Sequence, residues 1–233
     1  TLSRSSAASD VYKRQSTLSA MTGIRTIVVN MPIHQNEGQY DLSNLHIQWL
    51  VSKWGNVERS KIDLSNTYDE LCSDLDSQKV TELSLANSRA RLRMTALFAV
   101  AGSNNGIVVG TGNKVEDFGI GFYTKYGDGG VDISPIADLY KSDVYAMGEE
   151  LGVIREVLEA APTDGLWNDG RTDEDQIGAT YEEIEWAMKE STDPKRVDLS
   201  ERQRKVLDIY QRLNKSNSHK MDPIPIFKLY PDD

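Results

Sequence analysis

The sequence predicts an α/β fold in which a parallel sheet is flanked by helices. Three observations predict it. Short β-branched runs, "TIVVN" and "IVVGT", alternate with longer stretches of helical spacing, and such alternation builds a parallel sheet covered on both faces. Glycine-dense loops follow the strand "IVVGT", where open α/β sheets bind ligands. The length, 233 residues, fits one large domain or two small ones, the first being preferred, and allows a proper core.

"GIRTIVVNMPIHQ", residues 23–35, reads as a buried strand entered from Gly23 and stopped by Pro32. "DLSNLHIQWLVSKWG" follows as a helix that Asp41 caps and Gly55 closes. "VERSKIDL" is a weaker strand, and Asn66 to Asp76 a short acidic helix. "SLANSRARLRMTALFAVAGSNNG" is a helix of good formers ending in Gly102 and an Asn-Asn-Gly turn. "DLYKSDVYAMGEELG" sets Tyr140, Val144, Met147 and Leu151 at helical spacing. Residues 163–178 are polar with little periodicity and read as a mobile loop, and helices are expected near 180–190 and 199–214. The tail carries three of the seven prolines.

Composition narrows the function. With 26 Lys+Arg against 36 Asp+Glu the formal charge is -10, which opposes general affinity for nucleic acid or anionic lipid. Any phosphate must be gripped locally. The single cysteine, Cys72, leaves no internal disulfide framework and suits a reducing compartment. No apolar run approaches membrane-spanning length, so a soluble cytoplasmic protein is expected.

Chemistry concentrates between residues 106 and 141. In "IVVGTGN", Gly110 and Gly112 would let backbone approach a ligand while Thr111 adds a hydroxyl. A glycine turn after a strand is most often only a turn. Glu116 could hold magnesium, which favours oxygen ligands; in isolation it is a solvated acid. "TKYGDGGVD" places Gly127, Gly129 and Gly130 between Lys125, Asp128 and Asp132, an arrangement a plain hairpin rarely needs. Lys141 opens a helix, a poor match to the dipole unless an anion sits there. Arg89 and Arg93 share a helix face while Arg91 points elsewhere, and arginines so placed are usually solvated. His34, His46 and His219 lack metal-ligand spacing, and no Ser/His/Asp or Cys/His arrangement stands out.

Together "NSRARLRM", "VVGTGNKVEDFGIGFYTKYGDGG", "DISPIADLYKSDVY", "APTDGLW", "DEDQIGATYEEIE" and "SHKMDPIP" resemble, in order, the motifs of the ammonia-dependent NAD synthetases over roughly residues 16–228. The resemblance implies a Rossmann-like, adenine-nucleotide α-hydrolase-type fold, a homodimer, and a ligase that makes NAD from deamido-NAD, ATP and ammonia through an adenylylated intermediate. It implies that Thr111, Lys141 and Thr163 contact ATP, that Glu116 binds magnesium, and that Arg91, Lys125, Asp132, His219 and Lys220 hold deamido-NAD. The last two would be lent across the dimer or by the folded-back tail. Lys125 would also stabilise charge during adenylyl transfer. Neither nucleic acid nor membrane is an expected partner.

One departure stands out. The family carries an S-G-G-x-D-S pyrophosphate loop, expected near residues 7–12, where this chain has "AASDVY" with Asp10 as a displaced acid. Residues 1–15 read as a foreign or truncated leader before a single domain, 16–233, with a tail from 216. Two alternatives remain: the synthetase portion of a glutamine-dependent enzyme, and a catalytically impaired nucleotide-binding homologue.

Overall fold

The sheet forms because "TIVVN" leaves no polar face to turn to water: all five residues of β2 (Thr26–Asn30) are buried. In this computed structural model, which describes residues 2–5, 10–76, 78–159, 172–192 and 198–229, β2 pairs in parallel with β1 (Leu2–Ser5) and β3 (Val57–Lys61). β1 in turn pairs in parallel with β4 (Val108–Val109), giving the order β3-β2-β1-β4. Registers run Leu2 to Ile27, Leu2 to Val108 and Thr26 to Val57. Beyond β4 the edge is extended by Ile133, which bridges Val109.

Helices cover both faces. α1 (Asp10–Met21) and α2 (Glu37–Lys53) enclose one apolar cluster around Ala20, Val28, Ile47 and Leu50. α3 (Ser65–Leu75) and α4 (Glu82–Ser103) cover another, where Tyr68, Met94 and Leu97 meet Ile27, Val29 and Val108. α5 (Lys141–Glu150) and the single turn α6 (Arg155–Leu158) follow the edge loops. α7 (Asp173–Ile177), α8 (Tyr181–Thr192) and α9 (Glu201–Met221) build a helical layer with its own core of Ile177, Ile184, Ala187, Val206 and Ile209.

Several boundaries depart from the sequence reading. Asp41 lies inside α2; Asn36 caps it, its side chain accepting from the Gly38 N–H at 2.8 Å. α4 passes through Gly102 to Ser103, and Asn105 takes the left-handed turn at φ 49°. The end of the expected loop 163–178 is helical, because Thr172 and Asp175 form a capping box that starts α7; residues 163–171 lie outside the described residues. α9 runs to Met221, so the tail's first six residues are helix. The boundary at residue 15 falls inside α1, which has neither glycine nor proline to interrupt it.

The sequence reading also missed a wide, π-type helical turn over Lys114–Ile120. Its end is held by a ladder on α9: Asn214 and Asn217 donate to the carbonyls of Gly119 and Ile120 at 2.8 and 2.9 Å. Lys220 Nζ donates to those of Gly121 and Tyr123 at 2.8 and 2.9 Å. The three donors are spaced by three residues, so they share one helix face. Gly121 is left-handed at φ +62°, and a Cβ there would stand 2.5 Å from Asn217 Cβ. Gly121→Ala is therefore expected to cost about 2–4 kcal/mol from backbone strain and overpacking together, read as a fall in the urea midpoint. Asn217→Gly by itself also loses the bond to Ile120, so a double-mutant cycle is needed to isolate the packing share; a coupling equal to the whole cost of Gly121→Ala would show that the left-handed backbone carries no strain.

Candidate active site

β1 leads into α1 and pairs on one side with β2, on the other with β4. The chain reverses its direction of winding between β1 and β4, and the carboxyl ends of two such strands bound the crevice in which α/β sheets take ligands. Residues 6–9, between β1 and α1, lie outside the described residues. The β4 side is formed by Gly110–Asn113 and the wide turn.

Asn113, fully buried, organises this side. Its Oδ1 accepts from the N–H groups of Val115 and Glu116, both at 3.0 Å, capping the wide turn, while its Nδ2 donates to Glu116 Oε2 at 2.7 Å. Glu116 Oε1 accepts from Lys141 Nζ at 2.6 Å and from the Tyr181 hydroxyl at 2.7 Å. That hydroxyl also lies 3.1 Å from Asp173 Oδ2, so one phenol proton bridges two carboxylates. The Lys141 side chain is 1% exposed and Glu116 14%, with the ammonium 4.5 Å from the centre of the Tyr181 ring. The anion that Lys141 requires at the start of α5 is thus Glu116.

These donors suit an oxygen-seeking cation. Glu116 and Asp173 set two carboxylates against one ammonium, joined through the Tyr181 hydroxyl. Among the described residues no group of three or more His, Cys, Asp or Glu gathers, so phosphate oxygens and water would complete the shell of a magnesium ion held at Glu116.

A second cluster joins four of the expected ligand residues. Lys125 Nζ donates to the backbone carbonyl of His219, and Arg91 Nε donates to the carbonyl of Lys125 at 3.2 Å. Lys220 follows His219 on α9, and the Tyr123 hydroxyl donates to the Lys220 carbonyl. Arg91 and His219 are exposed. Burial lowers the Lys220 ammonium below its ordinary value, and burial with the nearby Asp117 pushes Tyr123 up to about 12. His219 and Lys220 stand in the last turn of α9. Asp132 stands apart: its carboxylate accepts from the Val108 N–H at 2.7 Å, tying the loop to the end of the sheet.

The glycines are explained differently from the sequence reading. A Cβ on Gly112 would fall 1.7 Å from Asp117 Oδ2, and one on Gly129 2.3 Å from the Tyr123 ring. The bare backbone at these positions makes room for the chain's own side chains. Thr111 sits half-buried in the loop after β4. Thr163 lies outside the described residues. Arg93 corrects another expectation: it is 2% exposed, donating to the Met31 carbonyl and to Gln35 Oε1, both at 2.9 Å. Burial, with Arg89 beside it, lowers its pKa to about 10. Asn113, Asp173 and Tyr181 were missed altogether, although all three stand in the quoted motifs "VVGTGNKVEDFGIGFYTKYGDGG" and "DEDQIGATYEEIE".

A parallel sheet with its switch point between β1 and β4, followed by a capped wide turn and a carboxylate–ammonium pair, defines an α/β protein of the class whose sheets take ligands at the switch point. The sequence profile of the NAD synthase family matches residues 16–223. The chain belongs to that family. The NH(3)-dependent NAD(+) synthetase of Alkaliphilus metalliredigens is 39% identical over 180 residues, 72% of this chain and 68% of that protein. That of Methanosarcina acetivorans is 30% identical over 220 residues, 92% of this chain and 84% of that one. Among solved structures, an NMN synthetase from Francisella tularensis superposes with a TM-score of 0.81 at 30% identity, covering 95% of this chain and 86% of that chain.

Proposed function

We propose that this chain amidates deamido-NAD with ammonia at the expense of ATP, giving NAD, AMP and pyrophosphate. The carrying observation is the family match across residues 16–223, which spans every residue of both clusters. A nicotinate carboxylate oxygen attacks the α-phosphorus of ATP and the bond to the β-phosphate bridge breaks. Ammonia then adds to the activated carbonyl carbon, loses a proton, and AMP departs with the carboxylate oxygen. No protein nucleophile is required.

Thr111, Thr163 and Lys141 are the residues we assign to ATP, and Arg91, Lys125, Asp132, His219 and Lys220 to deamido-NAD. Lys125 provides positive charge to the pentacoordinate phosphorus. Magnesium at Glu116 would neutralise the departing pyrophosphate. No helix among the described residues is long and apolar enough to cross a membrane. Exposed Phe98, Phe118, Tyr126 and Ile133, near the second cluster in sequence, support a homodimer.

The similarity to an NMN synthetase favours a second reading, in which the mononucleotide acid replaces the dinucleotide. One assay separates the two. With ATP, magnesium and ammonium, the dinucleotide acid is expected to yield amide, AMP and pyrophosphate in equal amounts, and the mononucleotide acid much less. A reversed preference would establish the second reading. Formation of ADP and phosphate would exclude the adenylylated intermediate and both readings with it.

A further inference from the structure

Lys141 and Glu116, paired in the structure, have separate ligands in the proposed reaction: phosphate for the ammonium, magnesium for the carboxylate. In the observed geometry both carboxylate oxygens already accept from the protein, Oε1 from Lys141 and Tyr181 and Oε2 from Asn113. Magnesium approaches a carboxylate oxygen to roughly 2.0–2.1 Å, and Lys141 Nζ already stands 2.6 Å from Glu116 Oε1. Two cations on one oxygen repel strongly in so buried a place. The ammonium is enclosed by the rings of Tyr181 at 4.5 Å and Tyr145 at 6.0 Å, with the side chain 1% exposed, so it reaches no nucleotide from there.

We propose that Lys141 is an exchangeable counter-ion: it neutralises Glu116 in the ligand-free protein, then yields the carboxylate to magnesium and turns its ammonium to the nucleotide phosphates. The inference rests on the reading of Glu116 as the magnesium ligand. Three features fit it. Lys141 is the first residue of α5, so its side chain can swing at a helix end without disturbing interior backbone bonds. Glu116 keeps its place when Lys141 leaves, since Tyr181 and Asn113 continue to donate to its two oxygens. The exchange also removes the cost of a buried unpaired charge from either state, because a cation always faces Glu116. Tyr181 is accordingly a positioning residue.

The test is pulse labelling of the full chain with an amine-reactive acylating reagent, read by mass spectrometry at Lys141, with exposed Lys205 as internal reference. Lys141 is expected to be protected in metal-free buffer. Magnesium chloride alone should raise its labelling on the order of tenfold, as the population of the open side chain rises. Adding ATP should protect it again. Lys141→Met supplies an independent readout: magnesium chloride should raise its melting temperature more than that of the wild type, and should do nothing for the Glu116→Gln/Lys141→Met double variant. Labelling unchanged by magnesium, or equal thermal shifts in wild type and Lys141→Met, would overturn the exchange. If AMP and amide still form in that case, the proposed function stands without it. If magnesium unmasks Lys141 but no amide forms from either acid, the exchange stands and the functional reading falls.

Discussion

Arg93→Ala is expected to cost about 2–5 kcal/mol of stability, the range for emptying a buried cavity and leaving a buried acceptor without its donor. The guanidinium is 2% exposed and supplies the Met31 carbonyl and Gln35 with donors at 2.9 Å. Truncation leaves a buried carbonyl without its donor and empties space between α4 and the carboxyl end of β2. Arg93→Met separates the two effects, because it keeps most of the volume and removes the desolvated charge; a loss of about 1–3 kcal/mol is expected from the orphaned carbonyl. Urea midpoints of both variants are the measurement. An Arg93→Ala protein within about 0.5 kcal/mol of the wild type, the range of ordinary surface substitutions, would mean that the guanidinium does not anchor α4. The anchor also bears on function: Arg91, two residues earlier, presents its side chain on the second cluster from the same helix.

What could be read from the sequence depended on how local the signal was. β2 announced itself because five consecutive residues are buried, and α4 because its helix formers run unbroken past the Thr81 cap. β1 gave no such sign: "LSRS" has no β-branched residue, and its place in the sheet is fixed by Ile27 and Val108 on either side. The site shows the same division. Glu116, Lys141 and Lys125 could be singled out in the sequence, with roles that only the family resemblance implies. That Glu116 and Lys141 face each other was not, since 25 residues separate them and the contact depends on α8 bringing Tyr181 over both. Nor were the glycines of "TKYGDGG" readable as packing features, because the ring that needs the space at Gly129 belongs to Tyr123, whose hydroxyl is held by α9.

The largest change in activity is expected from rebuilding the pyrophosphate loop, and its position can be tested. The family match begins at Ser16, and the motif S-G-G-x-D-S ends in serine. On α1, Arg14, Gln15, Ser16 and Thr17 are buried in succession, all round the helix, with Ser16 Oγ 2.9 Å from His46 Nε2. Four consecutive buried polar side chains are unusual in a helix that covers a sheet, where one face ordinarily meets water. We expect a loop ending on Ser16, with S-G-G-x-D at residues 11–15, to free that space for backbone N–H groups that converge on an anion. AMP formation should then rise by two or more orders of magnitude, roughly the effect of restoring one or more preorganised donors to developing charge. A graft at residues 7–12 retains Arg14 and Gln15 in their buried positions and should recover much less. Both grafts are compared with the unaltered chain at saturating ATP, magnesium, ammonium and deamido-NAD. Equal recovery from the two would refute the register ending on Ser16; no recovery from either would place the pyrophosphate grip elsewhere in the crevice.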